Sequence, residues 1–390
     1  MATGRTIRTA GGGTAFIALL TCAVILSEGA TTSRRPDDNV VGEEFLGDDR
    51  AVTDSVRGRP TMKDVATAAG VALKTVSRVV NEEPGVTPAT ARRVLAAIER
   101  LGYRRNESAR LLRRGRTATI GLVIEDVGDP FYSGMGRAVE QVALAHGSLM
   151  FSGSSGEDPR RERDLLLAFC ARRVDGLVIV PAGPDHGYLR PELDAGVAAV
   201  FADRPGGLDA DTVLCANAAG AYAGVTHLLR HGHRRVAFLG DDPAIFTAAE
   251  RLAGYRRALA DAGLGADASL VAMGPPERAG AALSAMLAGG DPPTAVFTGN
   301  SRITVAVLRA GHRPPLVAFD DFELADLLTP GVTVVAQDPM GLGRTAAELL
   351  FERIAGGRGP ARRIELPTRL VPRGSGELPP APGTAGPGLR

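Results

Sequence analysis

Ten short apolar runs between residues 120 and 336 constrain this chain more than any other feature of its 390-residue sequence. They fall at 120–124, 148–152, 176–180, 198–202, 213–216, 236–239, 270–273, 295–298, 316–319 and 332–336, most of them separated by amphipathic segments of helical length. A strand wet on one face alternates polar with apolar residues, and most of these runs of Val, Ile, Leu and Ala do not. Strands apolar on both faces need cover on both, as in a parallel sheet between two layers of helices. So many strands suggest two such sheets. Folds of this kind hold ligands at the carboxyl ends of their strands.

Ahead of residue 117 the pattern is helical. Thr61 followed three residues later by Asp64 is a capping-box start, predicting a helix over 62–69 that Gly70 ends. A second helix over 72–80 follows after a tight turn, which is helix-turn-helix spacing. Thr87 with Pro88 opens a third helix, whose Val94, Leu95, Ile98 and Leu101 form an apolar stripe before Gly102. The formal net charge of +1 conceals a basic block: residues 59–116 hold thirteen Lys or Arg against five Asp or Glu. Such a block suits phosphate neutralisation, and a solvated basic face equally. Lys74 and Arg78, four apart on one helix face, could bond base edges in a major groove. Thr75, Ser77 and Asn81 are short polar groups suited to phosphate oxygens, or to plain exposure.

Other features carry less. Arg5 and Arg8 before the apolar residues 15–26 resemble a secretory leader, although the apolar stretch is too short to span a bilayer. Three readings stay open for 1–58: a start placed too far upstream, a disordered cytoplasmic extension, or a leader. The Pro- and Gly-rich tail 374–390 reads as disordered. Cys22, Cys170 and Cys215 are odd in number and widely spaced, which suggests neither a disulfide framework nor a zinc site and fits a reducing compartment. No Ser/His/Asp order, glycine-rich phosphate loop or close carboxylate pair makes a catalytic case, so neither an enzyme nor a cofactor is expected.

The segment 61–81, Thr-Met-Lys-Asp-Val-Ala-Thr-Ala-Ala-Gly-Val-Ala-Leu-Lys-Thr-Val-Ser-Arg-Val-Val-Asn, strongly resembles the headpiece of the LacI/GalR family of bacterial repressors. The likeness continues through Gly102-Tyr103, Asn106 and Ser108-Ala-Arg-Leu-Leu112, then through the core to about Ser375. It implies a small all-α helix-turn-helix headpiece (59–104), a hinge helix (105–116) and an α/β core of two parallel-sheet subdomains of the periplasmic-binding-protein kind (117–373). It also implies a cytoplasmic homodimer on a pseudo-palindromic operator in double-stranded DNA, with no membrane partner. Leu73, Lys74 and Arg78 stand where the family reads bases. Ala72 departs from the usual Ser, so one helix cap is lost. In the hinge helix Asn106 would be the cap and Leu112 the wedge that enters the minor groove, with Ala109 one turn earlier allowing close backbone approach. Arg105 replaces a common proline there.

In the core the resemblance assigns Phe131 and Tyr132, Asp203, Arg251, Asn300, Phe319 and Asp320 to the effector pocket. Asp203 and Asp320 can accept hydroxyl protons and Arg251 offers a planar fork of donors, a set suited to a sugar-like polyhydroxylated or an anionic small molecule. No Trp is present to stack on a sugar face, and the segment between Asn300 and Asp320 is several residues shorter than usual. Closure of the subdomains is expected to bring Arg251 and Asp320 together. His227, His231 and His233 match ordinary helix-to-strand sequence of the family, so no metal site is expected. A solute-binding protein for a transporter would share the core and suit a leader, but has no use for the headpiece.

Overall fold

The computed structural model of the chain describes residues 59–104 and 116–382. The expectations for 1–58 and for Asn106, Ala109 and Leu112 lie outside the described residues. Two compact units divide between Tyr103 and Arg104.

The first unit is three helices: α1 (Met62–Ala69), α2 (Leu73–Val80) and α3 (Pro88–Leu101). The capping box at α1 is complete: the Thr61 amide donates to Asp64 Oδ2 at 2.8 Å and the Asp64 amide to Thr61 Oγ1 at 3.4 Å. Gly70 and Gly102, both left-handed with φ 62° and 63°, end α1 and α3. The core is small, built on Val65, Val76 and Val94 with Ala66, Ala69, Ala97 and Tyr103. Leu95, expected on the apolar stripe, is 55 % exposed, because Val94 and Ala97 take the inward positions. Two of the basic residues serve this core. Arg93 Nη2 donates to the carbonyls of Ala69 and Gly70 at 2.8 and 3.2 Å, and Arg100 to that of Ala68 at 3.3 Å. Both put a cation on the negative end of α1.

The second unit has two lobes, each a six-stranded sheet. In chain order its elements begin β1 (Thr119–Ile124), α4 (Pro130–Ala145), β2 (Leu149–Ser154), α5 (Pro159–Ala171), β3 (Gly176–Ile179), α6 (Arg190–Asp194), β4 (Ala198–Ala202) and β5 (Asp211–Cys215). The chain then crosses to the second lobe for α7 (Asn217–Arg230), β6 (Val236–Gly240), α8 (Phe246–Asp261), β7 (Val271–Met273), α9 (Ala279–Leu287), β8 (Ala295–Thr298), α10 (Ser301–Arg309), β9 (Leu316–Phe319) and β10 (Thr333–Ala336). It returns for α11 (Pro339–Ile354) and β11 (Arg363–Leu366), and crosses a third time into β12 (Arg369–Val371). The first sheet runs β11-β5-β4-β3-β1-β2, all parallel. The second runs β12-β10-β9-β8-β6-β7, parallel except for β12. Both therefore reverse strand order beside their first strand, and the carboxyl ends at those reversals form a crevice.

All ten apolar runs are strands. The two that sequence reading missed, β11 and β12, are short edge strands, and β11 (Arg-Ile-Glu-Leu) alternates exposed with half-buried residues. At Gly254 an added Cβ would lie 2.2 Å from the Ala218 carbonyl oxygen of α7, and at Gly343 2.3 Å from that of Met135 in α4, so glycine sets how closely α8 meets α7 and α11 meets α4.

Disorder from residue 374 onward does not hold for the first part of the tail. Ser375 is buried, its hydroxyl donates to the Leu316 carbonyl at 2.6 Å, and it accepts from the Thr333 amide at 2.9 Å. Glu377 takes the Thr333 hydroxyl at 2.8 Å and pairs with His227. This segment forms a strap whose polar groups pair with the amino ends of β9 and β10 inside the second sheet. His233 is held by the same strap, its Nε2 2.9 Å from the Leu378 carbonyl.

Candidate functional site

Helix α2 is made to present one face. Val76 is fully buried and anchors it, while Leu73 and Lys74 at its start are exposed, Leu73 by 52 %. Thr75, Ser77 and Arg78 are half-buried, and the Asn81 side chain reaches Ser77 Oγ at 3.3 Å. Ala72 gives α2 no side-chain cap, as its identity predicts, and while the Thr75 amide donates to the Ala72 carbonyl at 2.9 Å, those of Leu73 and Lys74 are left for another acceptor. Lys74 and Arg78 thus project from one side of a helix whose positive end is open.

The second unit holds the other site. Its cleft lies where both sheets end, with Glu125 following β1, Asp203 β4, Asp241 β6, Asn300 β8, Asp320 β9 and Gln337 β10. Of the expected residues Phe131, Tyr132, Asp203, Arg251, Asn300 and Asp320 line it. Phe319 does not: it is fully buried one layer below, with the Arg251 guanidinium 3.9 Å above its ring. Asp203 and Asp320 are matched across the lobes. Each follows its strand in a left-handed conformation, φ 66° and 69°, and each donates its amide to the next strand, at Val213 and Val335.

Arg251 is fixed on three sides. Its Nε donates to Asn217 Oδ1 at 2.8 Å, and its Nη1 to the Gly299 carbonyl at 2.6 Å and to Asp320 Oδ2 at 3.4 Å. Gln337 Nε2 holds the other Asp320 oxygen at 2.5 Å. Arg251 and Asp320 both belong to the second lobe, so the expectation that closure unites them is corrected: they are paired within one wall. The contact that spans the lobes is Arg302 Nη1 to Glu125 Oε1, at 2.6 Å. Below that bridge the walls leave a cavity of about 50 Å³. Small-molecule pockets enclose about 300–1,000 Å³, so the space below the bridge is smaller than such a pocket.

Sequence reasoning missed the largest cluster. Arg204, nearly buried, donates to Glu157 at 2.6 and 2.7 Å, to Glu125 at 3.2 Å, to the Tyr132 hydroxyl at 3.1 Å and to the Pro181 carbonyl at 3.1 Å. Burial, and the neighbouring Glu157, push the Glu125 carboxyl up to about 7. Burial opposes ionisation of Glu157 too, but its hydrogen bonds to Arg204 hold it below the usual range. Burial raises Asp203 and holds the Tyr132 hydroxyl well above its ordinary value. The only clue in the sequence was the pair Asp203-Arg204 directly after an apolar strand.

A helix-turn-helix unit and a two-lobed core closing on a polar cleft define the class of ligand-responsive regulators. Residues 61–106 match the model of bacterial regulatory proteins, lacI family, and residues 225–376 that of the periplasmic binding protein-like domain. The HTH-type transcriptional regulator GalR of Escherichia coli (strain K12) is 33 % identical over 308 residues, 74 % of this chain and 88 % of GalR. A complex of the transcriptional regulator CelR with cellobiose is 32 % identical with a TM-score of 0.60, covering 82 % of this chain and all of CelR. The lac repressor dimer bound to operator and the anti-inducer ONPF is 26 % identical with a TM-score of 0.72, covering 82 % of this chain and 99 % of that one. The chain belongs to the LacI family of bacterial transcriptional regulators. These relatives are transcriptional regulators rather than enzymes. Among the described residues no helix is long and apolar enough to cross a membrane.

Proposed function

We propose that this protein is a cytoplasmic repressor that binds a pseudo-palindromic operator as a homodimer, and that a small polyhydroxylated effector held between the lobes sets its operator affinity. Leu73, Lys74 and Arg78 read bases, while Thr75, Ser77 and Asn81 serve phosphates. Asn106, Ala109 and Leu112 are assigned to the minor-groove contact. The observation that carries the effector reading is the matched pair Asp203 and Asp320, one from each lobe, both left-handed and both lining one cavity. Left-handed aspartates carry strain that persists where surrounding structure enforces it, as functional sites do. Their oxygens accept hydroxyl protons, and the cellobiose held by CelR is a ligand of that kind.

Operator titration with and without the cognate effector tests this, on an operator selected from random DNA. Arg251→Ala should bind operator nearly as the wild type does, yet lose the coupling of about 1–3 kcal/mol typical of such regulators. Arg251→Lys, which keeps a charge above Phe319 without the fork, guards against simple misfolding. A full ligand response in both variants would remove Arg251 from the effector site.

Dimerisation through apolar surface fits Leu144 and Leu149, 59 % and 68 % exposed, with Phe151 on the edge strand β2, and Leu324 and Leu327 on the second lobe. Leu149→Asp should raise the dimer dissociation constant about tenfold or more in sedimentation experiments, because a charge buried in an apolar interface is costly. An unchanged constant would place the interface elsewhere.

A further inference from the structure

The cleft is short of positive charge. Five carboxyl groups line it (Glu125, Asp129, Asp203, Asp241 and Asp320) and a sixth, Glu157, holds Arg204 from behind, against the three guanidiniums of Arg204, Arg251 and Arg302. Each arginine already has a carboxylate: Arg204 grips Glu157, Arg302 bridges to Glu125 and Arg251 lies by Asp320. Asp129 accepts the Phe131 amide and Asp241 the Asn300 side chain, both neutral donors. Asp203 is the extreme case. It lines the cavity and is 98 % buried, its Oδ2 lies 3.5 Å from Arg204 Nε, and its Oδ1 is buried without a hydrogen-bond partner. Gln337, also on the lining, has a second buried acceptor without a donor at Oε1, whereas the one lining donor in that position, Arg204 Nε, already faces Asp203 Oδ2.

We propose that the effector is a polyhydroxylated amine of the amino-sugar class, whose ammonium is held at Oδ1 of Asp203. This rests on the reading of the cleft as the effector site. Unpartnered buried acceptors call for donors, and a ligand can supply them as hydroxyls or as an ammonium. Hydroxyls alone would leave the carboxyl excess unmatched; an ammonium supplies three N–H groups and the missing charge. A phosphate or carboxylate would do neither, since it adds negative charge and cannot donate. The anionic class of ligand, open from the sequence, is thereby set aside. Burial that raises Asp203 is the same deficit seen in its titration.

Calorimetric titration of the full-length protein tests the assignment, using D-glucosamine, D-galactosamine and D-mannosamine, each beside its parent hexose and hexose 6-phosphate. In the series that fits, the amine should bind about tenfold more tightly than the parent, since an ammonium–carboxylate ion pair replaces a hydroxyl–carboxylate hydrogen bond, and the phosphate should bind least. Asp203→Asn should bring amine and parent together. A parent hexose as tight as its amine, a phosphate tighter than either, or an amine preference that survives in Asp203→Asn would overturn it. A hexose response that is lost in Arg251→Ala would refute the amine while keeping the cleft as the site. Amine binding undiminished in Arg251→Ala would refute both.

Discussion

Arg78→Ala should erase the distinction between operator and random DNA while weakening binding to random DNA only modestly. A bidentate contact to a base edge is worth about 1–3 kcal/mol of discrimination, and a two-fold dimer uses it twice, so selectivity should fall by roughly a hundredfold or more. The guanidinium is half-buried and leans toward the turn at Gly85, where an added Cβ would sit 3.6 Å from Nη1. Competition binding with selected and scrambled duplexes at fixed salt provides the measurement. Equal losses on both would make Arg78 a phosphate contact and leave base reading to Leu73 and Lys74.

Arg204→Ala should be the most damaging single change in the core. It would strand Glu157, Glu125 and Asp203 together in a site where Arg204 itself is 6 % exposed. Removing one partner of a buried ion pair costs about 3–5 kcal/mol, because the remaining charge stays out of water. In a unit of this size that corresponds to a fall in melting temperature on the order of 10 °C. Adding Glu157→Gln should recover part of the loss, which a mere packing defect would not allow. Thermal unfolding of the single and double variants decides between the two.

Sequence alone gave access to those parts of the fold in which every residue of an element points the same way. Strands such as β3 and β9 are apolar throughout and could only be buried, whereas β11 hides among polar alternation at a sheet edge. Helix ends were legible for the same reason, since Thr61, Asp64 and Gly70 each have one job. In the cleft, Asp203, Arg251, Asn300 and Asp320 were found by family position. Arg204, Glu125, Glu157 and Arg302 were not, because an isolated charged residue in sequence is ordinarily solvated, and only topology brings residues 125, 157, 204 and 302 to one point. The mistaken separation of Arg251 from Asp320 has a similar source: their sequence distance of 69 residues says nothing of which wall they share. At the tail, Pro and Gly masked the pairing of Ser375 and Glu377 with the amino ends of β9 and β10.

The three strands that carry the chain between the lobes leave a rotation about the line joining them as the soft motion of the core. Two effector-site contacts sit on that line, since Arg251 is tied to Asn217 just past the first crossing and Asp320 to Gln337 at the second. A molecule gripped there acts close to the axle. Small adjustments around Arg251 and Asp320 become large arcs at the distant rims of the lobes, in the way a short crank drives a long arm. If the effector is held at Arg251 and Asp320, its position along the axis, as much as its chemistry, would set the gain of the response.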